Sequence, residues 1–297
     1  DSLPSRGLGD VYKRQRIMRL LKTPLRYPGG KSRACVRLYD WFPADIDEFR
    51  EPFVGGGSVA LYFSQLHPDV PVWINDLYTP LYHFWINLRD RGDELSDTCY
   101  AIKQDHPTPD LARELFDKSK VEIQTADSFR QAVLFWVLNK CSYSGLTENS
   151  SFSQSASKQN FTLRGANNLK KYQEVISKWE ITCLDYTECL HEEGENIFQF
   201  LDPPYKIGSY LYGRDAGLHK EFDHAKFAED CKDAEGKWMI TYNIDDEIEE
   251  MFKDYNQRYF SMTYGMQHRP DNTKKAELLI TNYDEEPKNT LEELLYG

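Results

Sequence analysis

The chain has 297 residues, 40% hydrophobic and 28% charged, and its 36 Lys and Arg against 48 Asp and Glu give a net charge of −12. That size supports one large core, and no uninterrupted apolar stretch approaches the length of a bilayer crossing, which argues against a membrane-spanning helix. Six cysteines without a C-x-x-C pair and seven scattered histidines argue against a disulfide frame, a metal site or a local Ser-His-Asp or Cys-His signature, and suit a reduced, cytoplasmic protein.

Asp10-Val11-Tyr12-Lys13-Arg14-Gln15 resembles the translation of a sequencing adapter, so residues 1–17 are expected to be non-native and Met18 to be the native start, the alternative being a flexible basic arm. Tyr27-Pro28-Gly29-Gly30-Lys31 reads as a tight turn feeding a helix over residues 32–40, with Lys31 beside the turn. Glu51-Pro52-Phe53-Val54-Gly55-Gly56-Gly57-Ser58 reads as a strand end, a glycine-rich turn and a helix start, where a ligand can lie against bare backbone. Residues 70–74 form a second expected strand ending at Asn75-Asp76, roughly twenty residues past the glycines, the spacing at which an acidic side chain accepts ribose hydroxyls.

The middle of the chain has helical character over residues 110–120 and 127–139, the second apolar nearly all round and therefore expected to be buried. From Ser142 through Asn160 the composition turns polar while keeping Tyr143, Leu146, Phe152 and Phe161. A loop of that kind suits phosphate contacts, base-edge readout and wedges into a base stack. Between Lys140 and Lys171 the positive residues Lys140, Lys158, Arg164, Lys170 and Lys171 face Glu148 alone, a local basic face on an acidic protein. Residues 179–184 look strand-like and end at Asp185-Tyr186.

The apolar run Ile197-Phe198-Gln199-Phe200-Leu201 suits a strand covered on both faces, and Pro203 and Pro204 stop it at Asp202. Asp202, the freed Pro203 carbonyl and the Tyr205 ring then face the crevice outside the strand end. A planar heterocyclic amine fits all three, with two N–H donors for the two acceptors and a ring for Tyr205. Residues 210–223 are a candidate mobile cover. Residues 238–242 and 277–283 read as further strands, and residues 245–252 as a helix with acidic capping.

The ordered set P-G-G-K, E-P-F-x-G-G-G-S, N-D and D-P-P-Y resembles the Dam-like family of DNA adenine methyltransferases. The resemblance implies an α/β fold, a Rossmann-like S-adenosylmethionine-dependent methyltransferase sheet built from residues 18–87 and 179–297. Residues 88–178 are then an inserted, mostly helical target-recognition domain. It implies that Tyr27, Lys31, Asp76 and Asp202 contact S-adenosyl-L-methionine, that Glu51, Phe53, Gly55 and Gly57 shape its pocket, and that Asp185 and Tyr186 hold its adenine. Asp202, Pro203, Pro204 and Tyr205 are the implied catalytic residues, acting on an adenine flipped out of double-stranded DNA, with no metal. Lys140, Tyr143, Leu146, Asn149, Lys158 and Arg164 are the candidate DNA contacts, Tyr143 having a docked loop aromatic as its equal alternative. The chain departs from G-A-T-C-reading members in placing Glu148 where they carry an arginine, so the target sequence stays open. Two other readings remain at this point: methylation of the cytosine exocyclic amine, which the same geometry serves, and a DNA-binding module that does not catalyse.

Overall fold

The computed structural model describes residues 20–27, 29–145, 150–206, 222–261, 265–270 and 276–288, whose eight strands form one sheet in the order β3-β2-β1-β4-β5-β8-β6-β7. Strands β1 (Glu48–Glu51), β2 (Val72–Asn75), β3 (Glu180–Thr182), β4 (Ile197–Leu201) and β5 (Lys237–Asn243) run parallel. Strands β6 (Asn256–Ser261), β7 (Gly265–Gln267) and β8 (Glu277–Thr281) add an antiparallel edge, β8 lying between β5 and β6. From β1 the chain builds outward through β2 and β3, then returns to lay β4 and β5 on the other side. The order therefore reverses between β1 and β4, and a crevice opens outside their carboxyl ends, where doubly wound sheets bind ligands.

The strand pattern explains what was visible in the sequence. Every residue of β4 is buried, and successive residues supply opposite faces: Phe198 and Phe200 join one apolar cluster while Leu201 joins the other. β1, Glu-Phe-Arg-Glu, has no such run, yet Arg50 is 1% exposed at the centre of the sheet. Its guanidinium donates to Glu48 Oε1 at 2.6 Å and to the carbonyls of Cys189, Glu192 and Glu193, and lies over the Trp73 ring. A charge so fully hydrogen-bonded can occupy a core position that hydrophobic patterning reserves for leucine.

Twelve helices surround the sheet among the described residues. α1 (Cys35–Tyr39) and α2 (Ser58–Leu66) follow the two glycine turns, and α3 (Thr79–Asp90) follows β2. α4 (Gly92–Asp105), α5 (Pro109–Glu122), α6 (Ser128–Cys141), α7 (Gln154–Asn160), α8 (Leu163–Asn168) and α9 (Gln173–Ile176) fill the interval before β3. α10 (Tyr186–His191), α11 (His224–Lys232) and α12 (Asp246–Met251) belong to the second half. α6 starts at an Asp127 cap accepting from Arg130 N–H, and its residues 132–138 are wholly buried, as its uniform apolarity predicts. Its Phe135 meets Phe84 of α3, and these helices share one continuous apolar cluster with Phe49 and Phe198 of the sheet.

Two expectations for the polar middle stretch are corrected. Residues 154–160 are helical, because the Ser153 side chain accepts from Ala156 N–H and starts α7, which turns Ala156 and Ser157 inward. Phe161 and Phe152 are not available as wedges: Phe161 is 1% exposed against Trp136, and Phe152 packs edge-on to Phe116. The proposed adapter segment, Pro28, Leu146, Glu148, Asn149 and residues 210–221 of the candidate cover lie outside the described residues.

Candidate active site

The crevice at the β1/β4 switch is a cavity of about 550 Å³, within the range of small-molecule sites. Its walls come from six separate chain segments, and they include every described residue predicted for the cofactor and for catalysis: Tyr27, Lys31, Glu51, Phe53, Gly55, Gly57, Asp76, Asp185, Tyr186, Asp202, Pro203, Pro204 and Tyr205.

At the end near β2, polar atoms are fixed by backbone. Asp76 leaves β2 and accepts from Gly55 N–H at 3.1 Å through Oδ2 and from Tyr78 N–H at 3.0 Å through Oδ1, locking the glycine turn against the strand tip. A carboxylate has about four acceptor positions, so two remain for a ligand. Asn75 beside it ties three strand ends together, donating to the carbonyls of Pro52 and Leu184 and accepting from Leu184 N–H. Asp185 caps α10 by accepting from Thr187 N–H. Phe53 stacks on Tyr186 at 5.1 Å between centroids, and Phe222 closes on Phe53 edge-on, forming an aromatic wall.

The glycines serve this site in a way the motif alone does not reveal. Gly55 and Gly57 both have positive φ. A Cβ on Gly55 would come 2.8 Å from the Tyr27 ring, and one on Gly57 would come 2.6 Å from the Trp85 ring. The space freed by the missing side chains is thus filled by the chain's own aromatics, while α2 starts at Gly57 and points its N-terminus toward the cavity. Glu51, buried below, accepts from Ala60 N–H at 2.9 Å inside the first turn of α2. Burial holds its carboxyl well above the usual carboxylate range despite that bond.

The other end is ionic. Lys31 is 3% exposed, and its ammonium lies 3.1 Å from Asp202 Oδ1 and 3.4 Å from Glu277 Oε2 while donating to Tyr205 Oη at 2.8 Å and Gly29 O at 2.9 Å. Burial pulls the Lys31 ammonium down, but Asp202 and Glu277 more than offset this and hold it above the usual lysine range. Asp202 Oδ1 also accepts from Thr241 Oγ1 at 2.6 Å. Tyr205 is held protonated by burial and by the charges of Asp202 and Glu277.

Thr241 and Glu277 are the site residues that sequence reasoning missed, whereas Phe222 lies within the candidate cover at residues 210–223. Thr241 follows Ile240, the register partner of Leu201, so it stands beside Asp202. Glu277 arrives because β8 runs antiparallel to β5, which puts its first residue, paired with Asn243, at the carboxyl ends of the parallel strands. A charged residue opening the apolar strand predicted at 277–283 is the signal that was present; the strand's direction was the information lacking.

The candidate DNA contacts are distributed differently. Tyr143 is 65% exposed, and Lys158 and Arg164 are exposed on α7 and α8. Lys140 is turned inward: its ammonium donates to the Pro24 carbonyl, and burial brings its pKa down to about 8. Among the described residues no helix is long and apolar enough to cross a membrane, and no His, Cys, Asp and Glu group is arranged to hold a metal ion.

Comparison with known proteins gives a family match over residues 27–269, to the D12 class N6 adenine-specific DNA methyltransferases. Similar proteins include the Type II methyltransferase M.MjaIII of Methanocaldococcus jannaschii, 23% identical over 89% of this chain and 99% of its own length. The Type II methyltransferase M.CviBI of Paramecium bursaria Chlorella virus NC1A is 22% identical over 89% of this chain and 100% of its own length. The Type II methyltransferase M1.LlaDCHI of Lactococcus lactis subsp. cremoris is 22% identical over 87% and 94%.

Proposed function

The chain belongs to the D12 class N6 adenine-specific DNA methyltransferase family, and from that membership we propose how its residues divide the work of adenine methylation. The cofactor is S-adenosyl-L-methionine, whose sulfonium supplies an electrophilic methyl group. The donor set of the crevice fits it. Asp76 has acceptor positions left for ribose hydroxyls, Phe53 and Tyr186 offer an aromatic wall for a purine with Asp185 at its edge, and Tyr27, Lys31 and Asp202 border the remainder. Glu51, Gly55 and Gly57 shape the floor.

Asp202 is the residue on which the chemistry turns, and the observation that carries this reading is its place: the first residue past β4, on the switch-point crevice, with its side chain oriented by Thr241. Its carboxylate and the Pro203 carbonyl accept the two N–H groups of an adenine amine. Held in that way, the nitrogen becomes more pyramidal, its lone pair points at the methyl carbon, and the positive charge developing on it is stabilised by Asp202. S-adenosyl-L-methionine bound here would supply the methyl group, its sulfur keeping the electron pair of the bond that breaks, and the methylated amine would release one proton to solvent. Tyr205 stacks on the base, which must leave the duplex to reach this depth. Residues 88–178 are the target-recognition insert in this reading, with Tyr143, Lys158 and Arg164 as DNA contacts, and Leu146 and Asn149 as candidates that lie outside the described residues. The setting is cytoplasmic, and the Type II names of the relatives favour a role in restriction-modification.

The test is Asp202→Ala. The variant should fold and bind duplex DNA, yet lose transfer of labelled methyl from S-adenosylmethionine by about a thousandfold or more. A near-normal rate would sink the assignment of Asp202, and no transfer by the native chain to a broad panel of duplexes would favour the non-catalytic module.

A further inference from the structure

We propose that Glu277 is a positioning residue that takes over the Lys31 ammonium when the target amine reaches Asp202, a proposal resting on the reading of Asp202 given above. An ammonium has three N–H donors. Four oxygens surround that of Lys31: Gly29 O at 2.9 Å, Tyr205 Oη at 2.8 Å, Asp202 Oδ1 at 3.1 Å and Glu277 Oε2 at 3.4 Å. The least well met of them is Glu277: its Oε2 is closed to solvent and is held only by the long 3.4 Å ion pair, without a hydrogen bond of good geometry. A buried carboxylate oxygen met so loosely beside a reactive cluster asks for an explanation.

The explanation lies in what Asp202 must do. Its Oδ1 already accepts from Thr241 and faces Lys31. The other carboxylate oxygen is left for the amine, but an ammonium seated beside Oδ1 offsets the charge of Asp202 and opposes the positive charge that develops on the attacking nitrogen. Glu277 Oε2, 3.4 Å from the ammonium, offers it a second seat, reached by a small shift of the flexible lysine stem toward β8. Binding of the amine to Asp202 and satisfaction of Glu277 are then one exchange, in which no buried acceptor is left over. The antiparallel direction of β8 is what puts a carboxylate at that position.

Single-turnover methyl transfer to mixed-sequence duplex DNA, with the full chain, tests this in native protein, Glu277→Gln, Lys31→Met and the double variant. Glu277→Gln should slow transfer about tenfold while the Kd values for DNA and for S-adenosylhomocysteine change less than about twofold. The double variant should be no slower than Lys31→Met alone, because Glu277 acts only through Lys31. Additive losses, a native rate in Glu277→Gln, or a slowing matched by weaker cofactor binding would each overturn the proposal. Should Glu277→Gln not fold, Glu277→Asp carries the test: it keeps the charge one methylene further from Lys31, and a native rate in it counts against the proposal while a slowed rate with unchanged Kd values supports it. Native protein that transfers normally beside an unaffected Glu277→Gln defeats this proposal alone, whereas a fully active Asp202→Ala defeats the reading beneath it as well.

Discussion

Lys31 and Lys158 carry the same charge on the same chain under opposite constraints. Lys31 is buried among four oxygens contributed by three distant segments, each within 3.4 Å. Lys158 stands exposed on α7, a helix begun by a serine cap. The crevice is built so that nearly every polar atom is held by another, and moving one member forces its neighbours to respond. The helical segment offers its cations to solvent, where each acts nearly alone. Catalysis by orientation needs the first arrangement, and attraction of a phosphate backbone is served by the second. Changes in the crevice should therefore be large and coupled, and changes on the helical surface small and additive.

After the loss expected for Asp202→Ala, the largest of these effects concerns Asp76. Asp76→Ala removes an acceptor for the ribose and strands the N–H groups of Gly55 and Tyr78, so S-adenosylhomocysteine should bind roughly 10–100-fold more weakly by calorimetry. Unchanged affinity would mean that this end of the crevice holds only itself together. A smaller effect concerns Glu51, whose carboxyl burial holds well above the usual range. The folded chain keeps that proton at pH values where the unfolded chain has released it. Its contribution to stability is thus fully present below the ordinary carboxylate range and is lost as pH rises toward the folded value, at up to about 1.4 kcal/mol per pH unit. Glu51→Gln keeps an acceptor for Ala60 N–H but does not titrate, so its melting temperature should fall less over that rise; parallel curves for the two proteins would contradict this.

The same contrast decides what could be read from the sequence. β4 and the D-P-P-Y tip were legible because a strand buried on both faces must be apolar and proline must end it. α6 was legible for its uniform burial, and Asp245 for the cap it provides to α12 by accepting from Glu247 and Ile248 N–H. β1 was legible only at its end, Glu51, because Arg50 satisfies a core position by hydrogen bonding and breaks the apolar run, and α7 was hidden because a polar sequence with a serine cap reads as loop. In the site, the residues within each motif were found, whereas Thr241 and Glu277 come from strands whose neighbours and direction no local pattern encodes. The motif glycines were found for an incomplete reason, since their bare faces seat Tyr27 and Trp85.

The basic residues grouped in the sequence between Lys140 and Lys171 separate in space, and the separation gives the smallest and most discriminating expectation. Lys158 and Arg164 are exposed, so Lys158→Ala and Arg164→Ala should each weaken duplex binding about equally on all sequences and lower the slope of log K against log salt by about 1. Lys140, one helix earlier and in the same run of charge, spends its ammonium on the Pro24 carbonyl. Lys140→Met should leave that slope unchanged and lower the melting temperature instead, because it strips a buried carbonyl of its donor. Reversal of this pattern, with Lys140 setting the salt slope and Lys158 and Arg164 silent, would move the DNA-binding face from α7 and α8 to the junction between α6 and the segment before Lys31. The two surfaces are told apart by ionic strength alone, without knowledge of the target sequence.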